Sequence, residues 1–177
     1  MMWLMVGLPG AGKTTRARAL EREHAALRLT PDEWAMALLG TLQIGDLRDT
    51  LEGFLLDLAV PALTAGTNVV VDFGLWGRDE RSALRWIAQQ CGSPCVVEYR
   101  PVGAAEQRER VGARVRSDPS QELLTDAELD AGRAVFEEPD GAELDGGAVP
   151  PPPEGYESWG RWAAVRWPGL RVVGTHA

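Results

Sequence analysis

Met2-Trp3-Leu4-Met5-Val6-Gly7-Leu8-Pro9-Gly10-Ala11-Gly12-Lys13-Thr14-Thr15 is the stretch on which the fold turns. Met2 to Val6 is an unbroken apolar run closed by a glycine, the pattern of a strand buried on both faces of a parallel sheet. Residues 7–14 fit GxxxxGK(S/T) at every fixed position. Lys13 to His24 then reads as a helix, with Ala17, Leu20 and Ala19 inward and Arg16, Arg18, Glu21, Arg22 and Glu23 facing water. Strand, glycine loop and helix in this order make a phosphate cradle. Glycines let the backbone curl until successive N–H groups share one anion-sized hollow. The helix N-terminus adds a favourable dipole. Gly10, Ala11, Gly12 and Thr15 belong to the cradle, Lys13 brings a mobile positive charge to the β- and γ-phosphates, and the Thr14 hydroxyl suits Mg²⁺. The expected ligand is a nucleoside triphosphate. Its destination is open, because transferases, hydrolases and switches all use this loop.

Outward from this unit, strands and helices alternate. Leu27 to Leu29 reads as a second strand, and Thr30-Pro31-Asp32-Glu33 as a helix start with Thr30 as cap. Asp46 to Ala65 carries Leu47, Leu51, Phe54, Leu55, Leu58 and Leu63 at helical spacing, with Pro61 expected to kink or split it. Thr67 to Asp72 is a third strand, Arg78 to Gln90 a helix and Cys95 to Tyr99 a fourth strand. Gly103 to Arg116 and Thr125 to Phe136 are further helices, the second opened by a Thr125/Glu128 capping box. From Pro139 to Ser158 the chain turns to glycine, proline and acid, a long loop with a polyproline piece that either closes over the adenine or is disordered. Leu170 to Val173 reads as the last strand. The fold class is α/β with a five-stranded parallel sheet flanked by helices.

The 177 residues correspond to a single domain spanning 1–177. With 26 acids against 18 bases, the net charge of −8 opposes a reading as a nucleic-acid binder. The cysteines Cys91 and Cys95 and the histidines His24 and His176 form neither a zinc framework nor a disulfide scaffold. The N-terminus lacks a basic segment and no run approaches the about 20 apolar residues of a membrane span. The expected setting is a reducing cytoplasm, and the expected state a monomer or homodimer.

The candidate chemistry lies beyond the loop. Asp32 follows the second strand closely, on the rim where ligands of parallel sheets gather. It suits a general base for an acceptor hydroxyl, and equally a first-turn acid serving the helix dipole. Val69-Val70-Val71-Asp72 ends a strand on a carboxylate suited to a Mg²⁺ water or the acceptor; capping the next turn is the alternative. Arg78 and Arg81 stand at a helix start, where a cation calls for a partner or an anion. Arg110 and Arg114 share one helix face, with Glu106 spaced to pair with Arg110. Trp34 and Trp76 each follow a candidate residue, and either wall an acceptor pocket or pack beneath a loop.

Taken together, the glycine loop, Leu-Thr-Pro-Asp32-Glu-Trp and Val-Asp72-Phe-Gly-Leu-Trp-Gly-Arg78-Asp-Glu-Arg81 resemble a family of predicted P-loop kinases, AAA domain-containing, over about residues 2 to 138. The family is related to chloramphenicol phosphotransferase, zeta toxin and the kinase domain of phage polynucleotide kinase. The resemblance implies a nucleoside/adenylate-kinase type fold with sheet order 2-3-1-4-5, ATP and Mg²⁺ as cofactors, and a catalytic aspartate at Asp32. It also implies a lid over about residues 108–125 with arginines at Arg110 and Arg114. Polynucleotide kinases carry an arginine three positions after that aspartate, where this chain has Ala35. The expectation is therefore transfer of the ATP γ-phosphate to a hydroxyl of a small molecule, such as an antibiotic or other natural product. In that reading Lys13, Asp32 and Arg114 are catalytic, and Arg110 joins the loop on the nucleotide. Thr14 and Asp72 hold the metal, and Asp32, Trp34, Asp72, Trp76 and Arg78 face the acceptor. A polynucleotide 5′-hydroxyl kinase and a P-loop switch without acceptor are the alternatives.

Overall fold

The computed structural model describes residues 1–117 and 124–171. Its elements run β1 (Met2–Val6), α1 (Lys13–His24), β2 (Leu27–Leu29), α2 (Pro31–Leu39), α3 (Leu47–Thr64) and β3 (Val69–Gly74). They continue with α4 (Arg78–Gln90), β4 (Cys95–Tyr99), α5 (Ala104–Ser117), α6 (Asp126–Val135), α7 (Gly141–Leu144) and α8 (Trp159–Arg166). The sheet is wholly parallel, in the order β2-β3-β1-β4. That is the expected order without its fifth member. Leu170 and Arg171 form no strand: the Leu170 N–H turns back to the Trp167 carbonyl, and Arg171 is tied to Asp57 of α3. The rest of the expected fifth strand lies outside the described residues.

Both faces of β1 are covered, which is why its sequence shows no polar alternation. Met2, Leu4 and Val6 face the larger core with Leu55, Leu56, Leu84, Ile87 and Trp167. Trp3 and Met5 pack under α1 against Ala17, Leu20 and Val70. His24 is occupied by stacking on Trp3, with ring centroids 4.6 Å apart. Pro61 does not split α3, which runs unbroken for 18 residues; it stands in the last turn, where loss of one backbone bond leaves the helix intact. The Thr125/Glu128 capping box forms as expected. Among the described residues no helix is long and apolar enough to cross a membrane.

The proline- and glycine-rich stretch differs from expectation, being neither a disordered loop nor a cover over the cleft. It folds onto α4 because it carries the partner of a buried cation. Arg81, fully buried, donates Nε and Nη2 to the Glu143 carboxylate at 2.8 and 3.0 Å. Its Nη1 reaches the Leu75 and Trp76 carbonyls at 3.3 and 3.2 Å. Arg85 donates to the Gly147 carbonyl, and Trp159 Nε1 to that of Pro150 at 2.7 Å. Trp159, Trp162 and Trp167 then meet edge to face at 5.7 Å each. Helices α7 and α8 were not foreseen from the sequence.

Removing one partner of a buried ion pair strands the other charge. Glu143→Ala should therefore lower the unfolding free energy by about 3–5 kcal/mol in urea titration. It should also expose residues 139–158 to limited proteolysis.

Candidate active site

The glycine loop is pressed against the end of β4. Gly7 has φ +146°, and a Cβ there would lie 2.6 Å from the Arg100 carbonyl oxygen. The Arg100 N–H in turn donates to the Val6 carbonyl at 2.9 Å. At Gly12, φ 84° turns the chain into α1, whose first turn has neither a side-chain cap nor an acid. The N–H groups of that turn are thereby left for an anion. Lys13 Nζ folds back onto the Leu8 carbonyl at 3.0 Å. Burial pushes the Lys13 amine below its ordinary pKa, against the opposing pull of Asp72 and Asp32.

A cleft of about 1260 Å³ opens over the carboxyl ends of the strands. Thr14 and the buried Asp72 lie on its floor. Asp72 Oδ2 has no hydrogen-bond partner, and the nearest cation on it, Arg28 Nη1, stands 3.8 Å away. Burial pushes the Asp72 carboxyl above its ordinary value, while the Thr14 hydroxyl, Lys13 and Arg28 pull it down. Asp32 is exposed on the rim, and its Oδ1 accepts from Arg48 Nη1 at 2.9 Å. Arg48 Nε holds Glu52 Oε1 at 3.0 Å, and Glu52 Oε2 accepts from Trp167 Nε1 at 3.1 Å. Burial raises the Glu52 carboxyl above its usual range, opposed by Arg48, Arg166 and the Trp167 bond. Arg166 reaches into the same end of the cleft and grips Glu80 at 2.6 Å.

The structure brings Gly10, Gly12, Lys13, Thr14, Thr15, Asp32, Asp72, Trp76, Arg110 and Arg114 to one cleft. Ala11 is buried beneath it, its N–H spent on the Leu8 carbonyl at 3.1 Å. Two expected residues stand apart. The helical period of α2 turns Glu33, Met36 and Ala37 toward the cleft and Trp34 outward, 44% exposed. Arg78 is drawn away to Asp140 at 2.7 Å, and its N–H to Glu137. Arg110 divides between the Gly10 carbonyl at 3.3 Å and Glu106 at 2.5 Å. Arg114 has no carboxylate within ion-pair distance among the described residues. Residues 118–123 of the expected lid lie outside the described residues.

Arg28, Arg48, Glu52 and Arg166 were not singled out from the sequence. The Arg48/Glu52 spacing of one helical turn was visible, but it reads equally as a solvated pair. No group of three or more His, Cys, Asp or Glu among the described residues could hold a metal by itself. Thr14 and Asp72 nonetheless fit Mg²⁺, which takes few protein oxygens and completes its shell with water and phosphate. The orphaned Asp72 Oδ2 is the observation behind that fit.

A family model matches residues 2–139, most of the chain. The chain belongs to the AAA_33 family of AAA domains. No curated protein matches it. Among solved structures, this AAA domain resembles a chain of the Pnkp1/Rnl/Hen1 RNA repair complex at TM-score 0.66 and 15% identity, over 76% of its own length. It spans only 43% of that chain. It resembles a candidate kinase from Chloroflexus aurantiacus at TM-score 0.59 and 17% identity, covering 88% and 83% of the two chains. It also resembles Chaetomium thermophilum Kti12, solved with ADP-AlF3, at TM-score 0.55 and 18% identity, covering 97% and 100%. These likenesses are of fold alone: an α/β P-loop domain with a parallel sheet flanked by helices.

A buried, ionised carboxylate with one oxygen left without a hydrogen bond disfavours the folded state. Because the folded pKa of Asp72 lies above its unfolded value, this penalty grows as pH rises from about 3.8 through the folded pKa. Asp72→Asn should therefore stabilise the nucleotide-free protein at pH 7 by about 1 kcal/mol, or roughly 3 °C in Tm. The gain should shrink toward pH 4. Thermal unfolding of both proteins across pH checks it.

Proposed function

We propose that this AAA domain is an ATP-dependent phosphotransferase that moves the γ-phosphate to a hydroxyl of a small-molecule acceptor. One observation carries the reading: a single cleft holds both the phosphate cradle and, beyond it, an accessible carboxylate. A hydrolase or a switch has no need of acceptor space past its phosphates. In this reading the loop amides and Lys13 bind the β- and γ-phosphates, Lys13 leaving the Leu8 carbonyl to do so. Thr14 and Asp72 would hold Mg²⁺, which supplies charge neutralisation on the phosphate oxygens.

The acceptor hydroxyl attacks the γ-phosphorus. A new P–O bond forms as the bond from that phosphorus to the β–γ bridging oxygen breaks, and ADP leaves with the electron pair. The hydroxyl proton passes to Asp32, whose Oδ1 is held by Arg48. Arg114 lies on the same cleft and meets the charge of the moving phosphoryl group, and Trp76 forms part of the acceptor wall.

The test is Mg·ATP turnover across hydroxylated antibiotics, nucleosides and 5′-hydroxyl oligonucleotides, with product mass recorded. A true acceptor gains one phosphate and raises ADP release. Asp32→Asn should lower acceptor-dependent turnover by about 100-fold or more while sparing ATP affinity. Lys13→Ala should weaken both. If no compound stimulates turnover and Asp32→Asn leaves the basal rate intact, the transferase reading fails.

A further inference from the structure

The two ends of the cleft differ in how their cations are used. At the phosphate end, Lys13 holds only a carbonyl, and Arg114 meets no carboxylate among the described residues. At the acceptor end every guanidinium is shared. Arg48 is bound by Asp32 at 2.9 Å and Glu52 at 3.0 Å. Arg166 is bound by Asp49 and Glu80, both at 2.6 Å, with Glu52 at 3.8 Å. Arg18, on the flank, is taken by Glu33 at 2.9 Å.

Two of the carboxylates at this end are themselves fixed. Glu52 accepts from Trp167 Nε1, and Glu80 accepts from the Gly77 N–H at 3.1 Å. Arg48 and Arg166 thus stand among four carboxylates, Asp32, Asp49, Glu52 and Glu80, and the local balance is negative. An acceptor bearing phosphate or carboxylate finds no guanidinium at this end that is free of a carboxylate, and the one Arg166 donor without a hydrogen bond, Nη1, stands 2.6 Å from Asp49 Oδ1. To recruit Arg48 it would have to pull that residue from Asp32, the proposed base. The remaining surface here includes Met36, Ala37, Leu42 and Leu75, which suits a compact molecule without charge of that sign.

We infer that the acceptor is a non-anionic alcohol, neutral or amine-bearing, and that nucleotides, sugar phosphates and polynucleotide 5′ ends are rejected by the paired state of Arg48 and Arg166. The inference rests on the phosphotransferase reading of the cleft. It is a property of this chain beyond its family match, since Arg166 and Trp167 lie past residue 139.

The experiment uses the full chain with Mg·ATP and matched acceptors: a nucleoside against its 3′-monophosphate, a polyol against its carboxylate, and an amino alcohol. Phosphorylated product is read by mass, and kcat/KM is measured at low and high salt. The neutral or amine-bearing member should exceed its anionic match by about tenfold or more, with the gap narrowing in high salt as the charges are screened. Glu52→Gln, which loosens the hold on Arg48, should narrow the gap in low salt too. Preference for the anionic member, or a gap unmoved by salt and by Glu52→Gln, overturns the inference and leaves the transferase intact. No product from any class, together with an Asp32→Asn protein of unchanged ATP turnover, overturns the transferase reading and the inference with it.

Discussion

The contact between Gly7 and the Arg100 carbonyl governs the rest of the molecule. β1 and β4 run parallel and in register until the chain leaves β1, and there is no room for a Cβ where it does so. A larger residue would lift the loop from the sheet. The lift would displace the start of α1, and with it the open N–H groups, Lys13 and Thr14. Because the sheet is parallel, the ends of β2 and β3 arrive on the same rim and bring Asp32 and Asp72 beside the loop. The site is therefore a consequence of strand direction as much as of the residues in it.

Stability and site are coupled through the segment after residue 139. Its Glu143 neutralises Arg81, and Arg81 holds the carbonyls of the turn that follows β3. That turn contains Leu75 at φ 47°, a conformation a branched side chain rarely adopts, and it carries Trp76 into the cleft. Trp167 reaches Glu52, Glu52 holds Arg48, and Arg48 holds Asp32. A chain of hydrogen bonds thus runs from a fully buried tryptophan to the carboxylate on the rim. Asp72 shows the opposite bias, a buried oxygen kept unpartnered where a metal shell would use it.

Much of this was legible in the chain. The loop motif, its flanking strand and helix, and the positions of the first four strands along the chain were legible because each is local: an apolar run, glycines at set spacings, a helical period; the order of those strands in the sheet is non-local and was implied only by the family resemblance. Asp32 and Asp72 were legible as rim residues because they sit just past apolar strands. Arg78 and Trp34 were misplaced by the same proximity reasoning. Nearness in sequence to a strand end does not say which way a helix face turns, nor that Asp140 will claim the arginine.

The sequence by itself determined the phosphate loop, since its physics is contained in eight consecutive residues and the backbone they allow. Only the tertiary structure decided which charges are spent and which remain. Glu143 for Arg81, Asp140 for Arg78, Glu52 for Arg48 and Glu80 for Arg166 are mostly pairs from distant elements. Even the one local pair, Arg48 and Glu52, takes its meaning from Asp32 and Trp167 beyond it. Charge pairing acts over a few ångströms of space, and those ångströms exist only once the sheet has brought distant segments to one edge.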